Sequence, residues 1–477
     1  MHVDVAIIGA GMSGLAAGIR AAYFDRSVCV FERHYAFGGL NSYYNFQGRS
    51  FDVGLHALTN FAPATQRNAP LNKLLRQLRL DRDELDLCPQ RYSEVRFPGR
   101  RLRFDNDIAL LTGEVDREFP REVDGFRRLH DLVADYNDTD LDAKPESART
   151  RLRTFINDPV LVDMLLCPLM YYGSAEPHDM DFTQFVTMFK ALFLEGFARP
   201  RAGVRQIIRA LVRRYRGLGG QLRMQCGVDR LEVSNGRVQG LVLDNGEQVT
   251  ADTILSCAGY AETMNLCRPS EQASHEQASR EQASGVPTEA ETAAAVGRLS
   301  FVENIAVMDR LPHTLDHDAT IVFFNDSDEF TYAPPDEPVD LRSGVVCCPS
   351  NYERHDDMEE GLFRVTWLAN PDFWLSREEA DYRVAKASYD EALRACGRQY
   401  MPQFDRHVVL TDMFTPRTIK RFTGHLGGAV YGSPQKRRDG RTAIDNLYLC
   451  GTDQGFLGII GAMLSGITIA NLYTLPS

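Results

Sequence analysis

The first forty residues constrain this chain more than any other stretch. They read MHVDVAIIGAGMSGLAAGIRAAYFDRSVCVFERHYAFGGL. Val3–Ile8 is a short β-rich apolar run, and Gly9-x-Gly11-x-x-Gly14 follows it at once. Leu15–Tyr23 has helical composition, and Ser27–Phe31 is a second apolar run closed by Glu32. Strand, glycine turn, helix, strand and acid, in that order and spacing, form the arrangement that binds a dinucleotide. Gly9 permits the turn, Gly11 lets a pyrophosphate approach the backbone, and Gly14 lets helix and strand pack closely. Ser13 falls in the first helical turn, where free N–H groups and the positive dipole end meet phosphates. Glu32 is placed to accept hydrogen bonds from the adenosine ribose, with Arg33 beside it.

Two features favour FAD over NAD as the dinucleotide. Gly38-Gly39, with Leu40 and Asn41 after it, comes a few residues beyond Glu32 and suggests a second loop over the same pyrophosphate. The other feature is a glycine-rich, apolar run near the C-terminus, NLYLCGTDQGFLGIIGAMLSGITIAN, in which backbone must approach something closely.

Between these ends the chain alternates in character. Val204, Ile207, Ile208, Leu211, Val212 and Tyr215 have the spacing of an amphipathic helix that stops at GLGG. Short strands follow, with hairpin signals at Asn235-Gly236 and Asn245-Gly246. Residues 299–370 form a β-rich block, and a single long helix is expected over about Arg377–Gln399. The expected fold class is α/β: a Rossmann-like FAD-binding domain with an interleaved α+β substrate domain. The FAD-binding domain would comprise residues 1–65, 191–270 and 406–477, and the substrate domain residues 66–190 and 286–405. Residues 271–285, the pentapeptide EQAS(H/R/G) three times over, are too polar and low in complexity to bury a core and are expected to be a disordered insertion without catalytic role.

Composition removes several function classes. A net charge of −12 argues against nucleic acid as a partner, because neutralising phosphates needs a basic surface. The ten cysteines include no C-x-x-C pair and no zinc spacing, as expected of a reducing, cytoplasmic setting. His313 and His317 are four apart, but Pro312 and nearby aspartates point to an exposed loop rather than a metal site; no metal is expected. There is no G-x-S-x-G for a hydrolase. No second GxGxxG appears, so the electron donor or acceptor is expected to be a separate, freely encountered partner. Phe185–Phe197, FVTMFKALFLEGF, is either a buried helix or a patch that dips into a membrane, giving peripheral contact.

Four pieces of sequence resemble the phytoene desaturase, carotenoid isomerase and retinol saturase group within the amine-oxidase-like flavoprotein superfamily. They are the fingerprint through Gly39, FDVGLH (residues 51–56), RPRAGVRQIIRAL with GGQLRMQCGVDRLEV, and FTPRTIKRFTGHLGGAVYG with NLYLCGTDQGFLGIIGAMLSG. Leu40 stands where amine oxidases typically carry Arg, which leans away from that branch. The resemblance implies that Val228 meets adenine through its backbone and that Gly451 and Asp453 reach the ribityl chain. It also implies that a helix starting at Ile460 presents the N–H groups of Gly461 and Ala462 to the flavin N1/O2 edge. It places His56 beside the flavin as a candidate catalytic residue, a type suited to proton transfer near neutral pH. The activity implied is flavin hydride chemistry on an apolar isoprenoid or polyene: desaturation, saturation or isomerisation. The alternatives are a non-catalytic prenyl-lipid binder of the GTPase dissociation inhibitor type, and an amine oxidase.

Overall fold

The computed structural model describes all residues except 55, 139, 141–143, 269–284, 328 and 476–477. The repeat Glu271–Ser284 therefore lies outside the described residues.

A parallel βαβ unit opens the chain. Strand His2–Ile8 leads through Gly9, held at φ +100°, into helix Met12–Tyr23 and then strand Val28–Glu32. A Cβ at Gly14 would lie 2.1 Å from the Gly9 carbonyl oxygen, so only glycine lets the helix sit this close to the strand. Around this unit a sheet runs in the order 228–234, 237–243, 248–256, 2–8, 28–32, 221–224, with Leu447–Leu449 alongside 248–256. The central pairings are parallel and the 228–243 hairpin is antiparallel. Asn235 and Gly236 both take positive φ at the tip of that hairpin, as the two-residue turn requires. The C-terminal helix Gly458–Tyr473 packs along the first helix; a Cβ at Gly466 would sit 2.1 Å from the Ser13 carbonyl oxygen.

A second, mostly antiparallel sheet has the order 408–414, 300–308, 361–369, 339–347, 321–325, 93–97, 100–104. Its four middle strands come from the β-rich block expected at 299–370. Three differences from the sequence reading stand out. Strand Val408–Phe414 belongs to this second sheet, so the boundary drawn at 406 falls one strand too early. Helix Pro70–Leu78, counted with the substrate domain, buries Leu71, Leu74, Leu75 and Leu78 in the core of the dinucleotide domain. The helix expected over Arg377–Gln399 is two, Glu379–Ser388 and Asp390–Tyr400. They break at Tyr389, whose carbonyl accepts a hydrogen bond from the Asn304 side chain (2.9 Å).

Helices flank both faces of the second sheet, those within 371–407 on one and those within 108–189 on the other. Phe182–Phe189 runs into a π-helical turn over Lys190–Leu194, and Phe185, Phe189, Leu192, Phe193 and Phe197 are fully buried there. The apolar run 185–197 is a core segment, which removes it as a membrane-dipping patch. Among the described residues no helix is long and apolar enough to cross a membrane.

Candidate active site

One cavity, of about 520 Å³, runs from the Gly9–Glu32 end of the first sheet to the face of the second. Its size is in the range of cofactor and ligand sites. The near end is built by the fingerprint. Gly9, Gly11, Ser13, Glu32 and Arg33 all line it, with Gly227 and Val228 opposite. Glu32 is fixed by two backbone donors, Ala10 N (2.8 Å) and His34 N (2.9 Å), one on each carboxylate oxygen. Gly11 caps the first helix without a side chain, and a Cβ there would meet nothing within 4 Å: it would project into the cavity. Gly14 does not line the cavity; its role is the helix–strand contact described above.

The second glycine loop is fastened to the first. Gly38 N donates to the Ala10 carbonyl (2.9 Å), and Gly38, Gly39, Leu40 and Asn41 line the wall beside Gly11. An exposed backbone cradle, a free helix N-terminus and an acid at the adenosine end fit the pyrophosphate and ribose of a dinucleotide.

The C-terminal glycine run is placed differently from expectation in three respects. The helix begins at Gly458, two residues before Ile460. Gly458, Ile459 and Ala462 line the cavity; Ile460 and Gly461 do not. A Cβ at Gly461 would instead meet the Phe456 backbone carbon at 2.9 Å, so this glycine serves a turn of the chain on itself. Asp453 is buried and also faces away from the cavity, with Oδ2 accepting from Tyr260 N (2.6 Å) and Oδ1 from Ser433 N (2.8 Å). It staples three chain segments together. Gly451 and Thr452 line the cavity in its stead, so Thr452 is the side chain a ribityl group would meet.

At the far end the cavity enters the second sheet. Gly458 lies beside Thr59 (3.9 Å from a Cβ at Gly458), three residues from His56. His56 lines the wall together with Glu303 and Thr366. His56 Nε2 is 2.8 Å from Glu303 Oε1 and 3.2 Å from Thr366 Oγ1. Glu303 in turn receives Nε (2.8 Å) and Nη2 (2.6 Å) of Arg364 on its two oxygens. Burial pushes the Glu303 carboxyl up, but the Arg364 guanidinium and the His56 bond outweigh it and hold it at about 2. Glu303 is therefore an anion at neutral pH. The Arg364 Nη2 also donates to the Asp52 carbonyl (3.0 Å), and the Asp52 carboxylate bonds Arg199 and Val204 N, the start of helix Val204–Gly217. The FDVGLH and RPRAG motifs are thus tied to one another and to the second sheet through Asp52.

Sequence reasoning missed Glu303, Arg364 and Thr366. A signal was present: FVENIAVM and LFRVTWLAN each set a charge inside an otherwise apolar strand. Such charges are buried only when paired. The rest of this chamber is aromatic and aliphatic, with Tyr171, Tyr172, Phe301, Val430, Tyr431 and Leu457 on its wall. His317, expected on an exposed loop, is buried, and burial lowers its pKa to about 4.

A family model for flavin containing amine oxidoreductases matches residues 12–472. The chain belongs to this family. Its cofactor is FAD, and it is an oxidoreductase. Prolycopene isomerase 2 of an Oncidium hybrid cultivar, a chloroplast protein, is 22% identical over 510 residues, covering 98% of this chain and 83% of the relative. A lycopene-forming phytoene desaturase of Pantoea ananas is 22% identical over 284 residues, covering 54% of this chain and 56% of the relative. Among solved structures, an oxidoreductase from Methanosarcina mazei shares the fold with a TM-score of 0.66 at 16% identity, covering 99% of this chain and 100% of that one. Membership in a flavin oxidoreductase family sets aside the non-catalytic lipid binder.

Proposed function

We propose that this flavoprotein transforms an apolar isoprenoid or polyene, with bound FAD supplying two-electron chemistry and His56 at the reacting end of the cavity. The observation that carries the reading is the chamber wall beyond the dinucleotide cradle. Tyr171, Tyr172, Phe301, Val430, Tyr431 and Leu457 offer apolar and aromatic surface, and the Glu303 carboxylate is already matched to Arg364. A cationic amine would find no uncommitted carboxylate in that chamber among the described residues, whereas a hydrocarbon chain buries its surface there at about 25 cal/mol per Å². The names of the carotenoid-handling relatives support the same substrate class.

In this reading the chain's residues hold FAD as follows. Glu32 and Arg33 meet the adenosine ribose, the Val228 backbone meets adenine, and Gly11, Ser13 and the Gly38–Asn41 loop meet the pyrophosphate. Gly451 and Thr452 meet the ribityl chain, and the Gly458–Ala462 turn meets the ring. The surrounding walls exclude water and orient the substrate, which is the protein's main contribution when the bonds that change are nearly nonpolar. The electron partner is a separate molecule that exchanges with the enzyme.

The test is anaerobic mixing of the FAD-loaded protein with C30 and C40 polyenes and with amines. Bleaching of the oxidised flavin band, or a chromatographic change in the polyene, supports the reading. Hydrogen peroxide formed in air from amines alone would replace it with the amine oxidase reading.

A further inference from the structure

Glu303 and Arg364 occupy an unusual place. They sit on adjacent strands of the second sheet, at the interface with the dinucleotide domain, and their side chains are 9% and 2% exposed. A buried ion pair seldom stabilises a fold more than apolar residues of the same size would. This one has a further partner, His56, which lines the cavity beside Glu303 and Thr366.

The chemistry of the donors fixes the imidazole. An ionised carboxylate only accepts hydrogen bonds, so the 2.8 Å contact requires a proton on His56 Nε2. A neutral His56 then carries its lone pair on Nδ1. Nδ1 makes no hydrogen bond among the described residues, and it is not an enclosed atom: the ring lines the cavity. The backbone is held as well, since the His56 carbonyl accepts from Tyr352 Oη (3.0 Å). The ring therefore has one set of anchors and one free basic nitrogen, aimed away from the anchors.

We propose that Glu303, clamped by Arg364, is a positioning residue that holds His56 in its Nε2–H form and presents Nδ1 to the substrate as a carrier of one proton. This rests on the reading of the cavity as a flavin and polyene site, and it sharpens the reaction class. In dehydrogenation, two hydrogens leave adjacent carbons. One departs with its electron pair, the two electrons that bound FAD would take up, and the other departs as a proton to Nδ1. Saturation is the same balance reversed. Isomerisation transfers neither on balance, and uses the same carrier only where a proton is added to the polyene and then withdrawn. The geometry thus points to a reaction in which a polyene carbon gains or loses a proton, and away from an isomerisation that leaves every C–H bond intact.

The test combines tautomer and turnover. Glu303→Gln alone leaves a buried guanidinium without its carboxylate and endangers folding, so Glu303→Gln/Arg364→Met is the working variant. In ¹⁵N-histidine-labelled FAD-bound wild type, His56 should show a protonated Nε2 and an unprotonated Nδ1. In the double variant, with FAD content unchanged, both tautomers should appear and the polyene-dependent redox rate should fall roughly 10²- to 10⁴-fold, the span of a lost acid–base group. A wild-type His56 protonated on Nδ1, or a double variant with unaltered tautomer and rate, overturns the positioning role. Isomerised polyene with no net redox change and no solvent deuterium in the product overturns the reaction class. Polyenes left wholly unreacted count against the substrate reading, and the tautomer measurement still decides the role of Glu303.

Discussion

Gly11 and Gly14 are three residues apart in one turn of backbone, yet the structure assigns them opposite duties, and alanine at each separates cofactor binding from folding. At Gly14 the new Cβ would lie 2.1 Å from the Gly9 carbonyl oxygen and 3.3 Å from Ile7 Cγ2. Real Cβ contacts do not come closer than about 3 Å, so the first helix must shift by roughly 1 Å on a core with almost no free space. Overpacking of this kind costs about 1–3 kcal/mol. At Gly11 the backbone is at φ −72° and ψ −179°, which any residue adopts, and a Cβ meets nothing within 4 Å. Gly11→Ala should therefore leave apoprotein stability unchanged or raise it by up to about 1 kcal/mol, through the less flexible unfolded chain. The same methyl group occupies the space in which a pyrophosphate would contact the helix N-terminus. Its removal of that approach should weaken FAD binding by at least about 100-fold, or ~2.7 kcal/mol. The assay is thermal unfolding of each apoprotein beside titration with FAD, followed by quenching of flavin fluorescence. Gly14→Ala should lower the melting temperature without FAD present, and Gly11→Ala should not. Wild-type FAD affinity in folded Gly11→Ala would refute the placement of the pyrophosphate on this turn.

Three further outcomes are expected. Glu32→Gln keeps acceptor capacity for the Ala10 or His34 N–H but removes the charge; the protein should stay folded and its FAD dissociation constant should rise about tenfold, read by the same titration. Glu195 is half-buried beside Asn60; burial raises its carboxyl pKa to about 7, against the opposing Asn60 bond. Its folded pKa lies above the unfolded value, so the neutral acid contributes stability that is full below about pH 4.5 and is lost as pH rises through about 7, up to about 3 kcal/mol in all. Glu195→Gln should flatten this loss, so that the variant gains on wild type in melting temperature between pH 5 and pH 8; a constant difference would count against it. Gly461→Val should lower melting temperature through its clash with the Phe456 backbone, whereas Ala462→Leu should deplete FAD from a protein whose apo form melts normally.

The strand–turn–helix–strand order was legible because one short stretch contained both the signal and the partners that give it meaning. The fingerprint needs only its own strand, turn and helix, and in the fold Gly9, Gly11, Glu32 and the Gly38–Asn41 loop line one cavity. The apolar strands of the second sheet are legible for the same reason, since a continuous apolar run is a local signal. What failed depends on contacts across the chain. Asp453 looks like a ribityl ligand until Tyr260 and Ser433, 193 and 20 residues away, claim both of its oxygens. Gly461 looks like a glycine facing a flat ring, but the backbone it approaches is its own, at Phe456. The long helix before residue 400 is interrupted at Tyr389, whose carbonyl takes a hydrogen bond from the Asn304 side chain, 85 residues away, beside the one from Leu393 N.

The buried charges follow the same logic, and they also say which links matter for function. Asp52, Arg199, Glu303 and Arg364 come from four separated stretches, and none of them means anything alone. Folded, they form a chain of ionic and backbone bonds that ends at His56. Each link fixes the next: the Asp52 carboxylate joins Arg199 to the start of helix Val204–Gly217, the Asp52 carbonyl orients Arg364, Arg364 keeps Glu303 ionised, and ionised Glu303 dictates which ring nitrogen of His56 bears the proton. A chamber meant only to hold a hydrocarbon gains nothing from such a chain, because buried pairs of this kind are at best neutral for stability. Its presence against an aromatic wall is the strongest physical sign that the far end of the cavity handles a proton as well as shelters a greasy molecule.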